Sequence, residues 1–312
     1  MADLYRIRLT ELVREHELSI AHAAKNYDTA DIRTVDVNRP GLQLAGFYDY
    51  FDPSRIQIMG KVEDAFLKNL SPVQRRASLE NLMSRGVGVI IVCNGVQPRP
   101  EMLELAEKYD VNVLYTAMDT SELMSQLIGT LRFALCPRMT VHGVMMEIYG
   151  EGILITGDSG IGKSETALDL LKNGHRLIAD DAVELRRATP STLLATAPEM
   201  IRGYMEVRGV GVVDVEDMFG MIATKDMQEL DLVVNLELWD DAKMYDRLGL
   251  QDEYTEILDV RVPRISVPVR PGRSLSVIVE VAAMNNRQKR LGYNAALELA
   301  NNHDKKIDLG WN

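Results

Sequence analysis

The chain has 312 residues, 46% of them apolar and 26% charged, long enough for two domains and too apolar for a disordered polypeptide. No apolar run approaches the about 18 residues a membrane helix needs, and the first six residues lack the layout of a secretion signal, so a soluble cytoplasmic protein without membrane contact is expected. A net charge of −11 speaks against nucleic acid as a partner, and two distant cysteines, Cys93 and Cys136, make neither a disulfide framework nor a metal-ligand spacing, which leaves them as buried small apolar residues.

In chain order, residues 1–132 read as a small α/β domain. Ile56–Met59 is a strand, followed by a helical pattern from Val62 to Leu70. Residues 86–93 hold the run Val-Gly-Val-Ile-Ile-Val, a buried strand bounded by Asn94-Gly95. Glu101–Tyr109 is helical and Val111–Tyr115 is another strand. Strands alternating with helices imply a partly parallel sheet. This region shows no catalytic motif, and its expected role is regulation or assembly.

Thr120–Leu135 reads as a connecting helix, ended at Cys136-Pro137 because the residue before a proline disfavours helical backbone. The second domain is taken as residues 133–312. Thr140–Tyr149 reads as one strand, Gly150-Glu151-Gly152 as a tight turn and Ile153–Thr156 as the returning strand of a hairpin.

That hairpin leads into Gly157, Asp158, Ser159, Gly160, Ile161, Gly162, Lys163 and Ser164, a full match to G-x-x-x-x-G-K-[ST]. The glycines let consecutive backbone N–H groups turn inward to cradle phosphate oxygens. Lys163 reaches the β- and γ-phosphates, and Ser164 is a ligand for Mg²⁺. A helix pattern over Glu165–Asn173 places its N-terminus on the phosphates, and Gly174 stops it. The apolar strand Leu177–Ala179 then ends in Asp180 and Asp181, where phosphoryl transfer needs a Mg²⁺ ligand or a catalytic base. His175 reads as a helix-end residue near the C-terminal dipole.

Further on, strand alternation sends Glu206 and Arg208 to one face and Met205 and Val207 to the other. Residues 261–290 hold seven basic side chains against Glu280 alone, an asymmetry that suits a local anionic target. Glu280–Asn301 reads as a C-terminal amphipathic helix, suited either to docking a partner or to ordinary core packing.

These motifs together resemble the bacterial HPr kinase/phosphorylase family. The likeness rests on Gly-Asp-Ser-Gly-Ile-Gly-Lys-Ser-Glu at 157–165, His-Arg-Leu-Ile-Ala-Asp-Asp at 175–181 and Met-Glu-Val-Arg-Gly-Val-Gly-Val-Val-Asp at 205–214. Leu236–Trp239, Tyr245–Gly249, Pro268–Arg273 and Asn285–Arg287 add to it, with no departure from the family pattern. The resemblance implies a catalytic domain similar to phosphoenolpyruvate carboxykinase, and the hairpin before the phosphate loop agrees.

The resemblance also implies a bifunctional enzyme controlling carbon catabolite repression and sugar uptake. It would phosphorylate a serine of the phosphocarrier HPr with ATP or pyrophosphate and Mg²⁺, and remove that phosphate by phosphorolysis. A homohexamer and fructose 1,6-bisphosphate as effector are implied too. Residue by residue, Asp181 matches the general base, Lys163 and Arg247 the groups that hold charge on the transferring phosphoryl, and His142 an active-site histidine. Glu206 joins Ser164 on Mg²⁺. Pro268, Val269, Arg270, Pro271, Gly272 and Arg273 match the segment used mainly in dephosphorylation. The C-terminal helix would then dock HPr or a neighbouring subunit, if it does not simply pack in the core. A different P-loop kinase acting on a small molecule and an ATP-sensing module without turnover are the rival readings.

Overall fold

A computed structural model describes residues 5–243, 252–270 and 272–299. Contacts divide the chain into two compact units that meet in sequence at Cys136/Pro137.

The first unit runs β1 (Ile7–Arg8), α1 (Leu9–Glu15), β2 (Ser19–His22), β3 (Asp31–Ile32), β4 (Val37–Asn38), α2 (Gly41–Leu44), β5 (Ile56–Met59), α3 (Lys61–Asn69), α4 (Pro72–Met83), β6 (Val89–Val92), α5 (Pro100–Tyr109), β7 (Asn112–Tyr115) and α6 (Thr120–Leu135). Its main sheet has the order β2-β7-β6-β5-β4, with β4 to β7 parallel and β2 antiparallel at the edge. Every residue of β5 and of β6 is buried, because helices cover both faces of the sheet. Strand alternation divides the apolar residues between two cores. Ile56, Ile58, Val89, Ile91 and Leu114 meet α1 and α6, while Ile90, Val92 and Val113 meet α3, α4 and α5.

Helix α4 is absent from the sequence reading. Its buried Leu79, Leu82 and Met83 crowd its C-terminal end, so no helical repeat runs through it. Its start is nevertheless written in the chain: the Gln74 N–H donates to Ser71 Oγ at 3.4 Å, and the Ser71 N–H donates to Gln74 Oε1 at 3.2 Å.

The second unit runs β8 (Arg138–His142), β9 (Val144–Ile148), β10 (Glu151–Gly157), α7 (Lys163–Lys172), β11 (Arg176–Ala179), β12 (Ala182–Thr189), β13 (Thr192–Thr196), β14 (Tyr204–Val207), β15 (Gly211–Asp214), α8 (Val215–Phe219), β16 (Met227–Glu229), β17 (Leu232–Leu238), β18 (Glu253–Ile257), β19 (Val260–Val269) and α9 (Leu275–Arg290). A mixed six-stranded sheet of order β11-β9-β10-β17-β19-β18 forms the middle layer. Its Ile153, Ile155, Val234 and Leu236 pack on α7 and α9. Its Met145, Leu154 and Val233 pack on Val183, Leu185 and Ala195 of the four-stranded sheet β16-β13-β12-β8. The unit is therefore helix, sheet, sheet.

Two expectations change here. The single strand predicted over Thr140–Tyr149 is two strands in different sheets, with Gly143 as the crossing. A Cβ on Gly143 would lie 2.7 Å from the Ile155 carbonyl oxygen, so only glycine passes there. The helix predicted over Glu280–Asn301 instead spans Leu275–Arg290. It is stopped by Gly292 at φ 92°, where the Gly292 N–H donates to Lys289 O at 3.0 Å and the Tyr293 N–H to Gln288 O at 3.0 Å. Asn301 lies outside the described residues.

Candidate active site

The chain crosses between the two sheets twice at one place. The first crossing is His142-Gly143. The second is Asp180-Asp181, between β11 of the six-stranded sheet and β12 of the four-stranded one. The two crossings are stitched together: the Gly143 N–H donates to Asp181 O at 3.1 Å, and Ala182 pairs with His142. Asp181 takes φ 67°, left-handed backbone that asparagine and aspartate tolerate better than other side chains. That reversal turns the two neighbouring carboxylates to different surroundings. Asp180 is only 5% exposed, whereas the Asp181 side chain is 70% exposed.

The phosphate loop faces this seam. It leaves β10 at Gly157, where a Cβ would collide with the Leu236 carbonyl oxygen of the adjacent parallel strand. It enters α7 at Gly162, with φ 105°. A cavity of about 250 Å³ lies between loop and seam, lined by His142, Ser159, Gly160, Gly162, Lys163, Ser164, Glu165, Asp180, Asp181, Glu206 and Arg208. The N-terminus of α7 opens into it, giving backbone donors and the positive end of a helix dipole.

Lys163 is buried, and its Nζ donates to Gly157 O at 2.9 Å and to Asp158 O at 3.0 Å. The ammonium thus lies folded back across the loop, satisfied by carbonyls. His142 Nδ1 stands 2.9 Å from Asp181 Oδ1 at the cavity mouth. Asp180 Oδ1 accepts from the Ser164 hydroxyl at 3.3 Å, and Oδ2 accepts from the Glu206 N–H at 3.1 Å. Burial pushes the Asp180 carboxyl above its usual range, against hydrogen bonds from the Glu206 N–H, the Ser164 hydroxyl and the Asp181 N–H, which pull it down.

Across the cavity stands the hairpin β14–β15. Met205 is buried in the core and Glu206 turns to the cavity, the alternation read from the sequence. Arg208 Nη2 donates to Ser159 Oγ at 2.9 Å, and a Cβ on Gly160 would sit 2.6 Å from Arg208 Nη1. Arg208 lines the cavity beside Glu206, on the face that strand alternation assigns to both, although the family resemblance gives it no role.

A chemistry of oxyanions fits this arrangement. It offers two cations, a helix N-terminus, one exposed carboxylate with a histidine beside it, and hard oxygen donors on Ser164, Glu206 and Asp180. The HPr Serine kinase N terminus model matches residues 7–131, and the HPr Serine kinase C-terminal domain model matches residues 133–303. The chain belongs to the HPr kinase/phosphorylase family. It is 46% identical over 300 residues to the HPr kinase/phosphorylase of Caldicellulosiruptor bescii, covering 96% of each chain. It is 46% identical to that of Caldanaerobacter subterraneus subsp. tengcongensis, over 94% of this chain and 96% of the other. It is 43% identical to that of Halalkalibacterium halodurans, over 98% of each. The solved HPr(Ser) kinase/phosphatase of Coxiella burnetii aligns at 33% identity and TM-score 0.45, over 49% of this chain and 98% of that one.

Of the residues that the HPr kinase/phosphorylase resemblance nominates, the fold brings His142, the phosphate loop with Lys163 and Ser164, Asp181 and Glu206 to one cavity. Arg247 and Pro271 lie outside the described residues. Pro268 and Val269 end strand β19, opposite Glu237 and Leu238. Arg270 does not line the cavity: its guanidinium stacks 3.2 Å from the Trp239 ring centroid and pairs with Asp241 at 3.5 Å. Gly272 takes φ 83° and the Arg273 N–H donates to Arg270 O at 3.4 Å, a turn directly before α9.

Proposed function

We propose that this cavity transfers a phosphoryl group to and from a serine of HPr, as the family name states. The chain is a protein-serine kinase and phosphorylase. The observation that supports this assignment of the site is the exposed Asp181, with His142 Nδ1 2.9 Å from its Oδ1, facing the phosphate loop across one small polar cavity.

In the kinase direction the donor's phosphates lie in the loop, on the backbone N–H groups at the start of α7. Lys163 exchanges its two carbonyl partners for phosphate oxygens and holds the negative charge as it moves. The serine hydroxyl approaches from the open side. Asp181 takes its proton as the oxygen attacks the terminal phosphorus and the bond to the leaving phosphate breaks. His142 keeps the Asp181 carboxylate oriented. In phosphorolysis, inorganic phosphate attacks the phosphoserine, the protonated Asp181 returns its proton to the departing serine oxygen, and pyrophosphate is released. One residue serves both directions because the forward base is the reverse acid.

The donor is ATP or pyrophosphate, both of which end in a diphosphate that the loop can cradle. Mg²⁺ suits the site's oxygen donors, with Ser164 and Glu206 as its holders; bound there, it screens charge on the transferring group. Arg247, Arg270 and Arg273 belong to the same reading, the last two serving dephosphorylation, where a second anion must be captured. The antiparallel hairpin β9–β10 ahead of the phosphate loop supports the likeness to phosphoenolpyruvate carboxykinase. A homohexamer, fructose 1,6-bisphosphate as effector, a cytoplasmic location and a role in carbon catabolite repression complete it; no described helix is long and apolar enough to cross a membrane.

The test is Asp181→Asn with purified HPr. Phosphoserine formation from ATP and Mg²⁺ should fall by about 10² to 10⁴ while nucleotide affinity holds, because an amide fills the same volume without accepting the proton. Transfer within a few fold of the parent overturns Asp181 as base.

A further inference from the structure

The hairpin β14–β15 is a two-stranded sheet of its own, paired with neither of the larger sheets. Such a ribbon is marginal alone and takes its position from what it is tied to. Met205, 1% exposed, fixes one face in the core. The opposite face, with Glu206 and Arg208, stands over the phosphate loop; the exposed Arg208 side chain ties it to Ser159, and the buried Asp180 ties it through backbone. Its Oδ2 accepts from the Glu206 backbone N–H, and its Oδ1 accepts from the Ser164 hydroxyl in the first turn of α7. Two donors from separate elements converge on the two ends of one buried carboxylate. An amide could not serve both, since one of its ends donates. A buried carboxylate is expensive, and the nearby strand end could have carried a cheaper residue if only packing mattered.

We propose that Asp180 is a positioning residue that holds Ser164 and Glu206 at a fixed separation and, through the Glu206 N–H, locks the hairpin to the phosphate loop. The inference rests on the reading above in which Ser164 and Glu206 hold the metal. Asp180 acts through these two neighbours, whereas Asp181 acts on the serine, so adjacent carboxylates divide the work.

Two measurements test this without turnover. Amide hydrogen exchange is followed in residues 204–208 of the metal-free protein, and Mn²⁺ affinity is read by electron paramagnetic resonance without nucleotide. Asp180→Ala should speed exchange in 204–208 on the order of tenfold while strand β17 stays as in the parent. Its Mn²⁺ dissociation constant should rise about 10- to 100-fold, the usual effect of losing a partner that orients a metal ligand. Glu206→Gln should weaken Mn²⁺ yet leave exchange in 204–208 alone, because the backbone N–H keeps its acceptor. Parental exchange in Asp180→Ala overturns the tie. Parental Mn²⁺ affinity in Glu206→Gln overturns the metal reading instead, and the exchange result still decides the tie. Should Asp180→Ala fail to fold, Asp180→Asn decides: it keeps one acceptor and turns an N–H₂ on the other donor. Parental values in both measurements would then overturn the proposal.

Discussion

At the scale of single residues, glycines set the close approaches that shape the site. Gly152 is the second residue of β10, and a Cβ there would overlap the Glu229 carbonyl oxygen. Backbone cannot move aside as a side chain can, so Gly152→Ala should destabilise the second unit by about 1–3 kcal/mol or more, read as a drop in urea midpoint. An unchanged midpoint would mean that β16 can yield. A second residue-scale expectation concerns Cys93. Burial pushes its thiol up to about 11, so the charged form is excluded from the core. In the native protein it should resist aromatic disulfide reagents at pH 8 and react only on unfolding. The sign follows for stability. The unfolded thiol ionises near about 8.5 and the folded one near about 11, so this contribution is intact below the first value and lost as pH rises to the second. Native-state labelling of Cys93 on the time scale of a free thiol would contradict this.

At the scale of elements, local rules account for some helices and tertiary contacts for others. Helix α6 runs over the residues its pattern predicts because Leu123, Leu127 and Leu131 recur at a four-residue spacing toward the core. Gly129, on its exposed side, meets nothing within 4 Å of a built Cβ. Gly129→Ala should therefore raise stability by about 0.5–1 kcal/mol, seen as a higher melting temperature of the first unit, since alanine loses less backbone entropy in a helix. A fall would show that the exposed side of α6 is more crowded than open space. Helix α9 is placed by tertiary contacts. His175, 6% exposed, meets Glu280 Oε1 at 2.8 Å through Nε2, and its ring packs edge-on to Tyr149 at 4.7 Å. The end of the phosphate-loop helix is thereby fastened to α9, a structural use for a residue read only as a helix-end histidine.

At the scale of the molecule, each unit closes its own cores. The first has one on each face of its five-stranded sheet, and the second has one between helices and sheet and one between its two sheets. A fragment of residues 1–136 should therefore fold alone with a cooperative thermal transition and native-like circular dichroism. It should not respond to pyrophosphate and Mg²⁺, because the phosphate loop lies in the other unit. A fragment without a transition would show that its cores do not close within those residues.

Much of the chemistry was legible in the chain because it is local. A phosphate loop is one contiguous stretch whose glycines, lysine and serine act through neighbouring backbone, and the helix behind it follows from a short-range repeat. Alternation through residues 205–208 likewise placed Glu206 and Arg208 together, because extended backbone has period two. Tertiary structure decided what depended on distant backbone. It broke Thr140–Tyr149 at Gly143, since the obstacle is the Ile155 carbonyl oxygen on another strand. It separated Asp180 from Asp181: the two are identical in type and adjacent in sequence, and only the left-handed turn at the seam buries one and exposes the other. No residue pattern encodes that difference, because it arises where two sheets exchange strands.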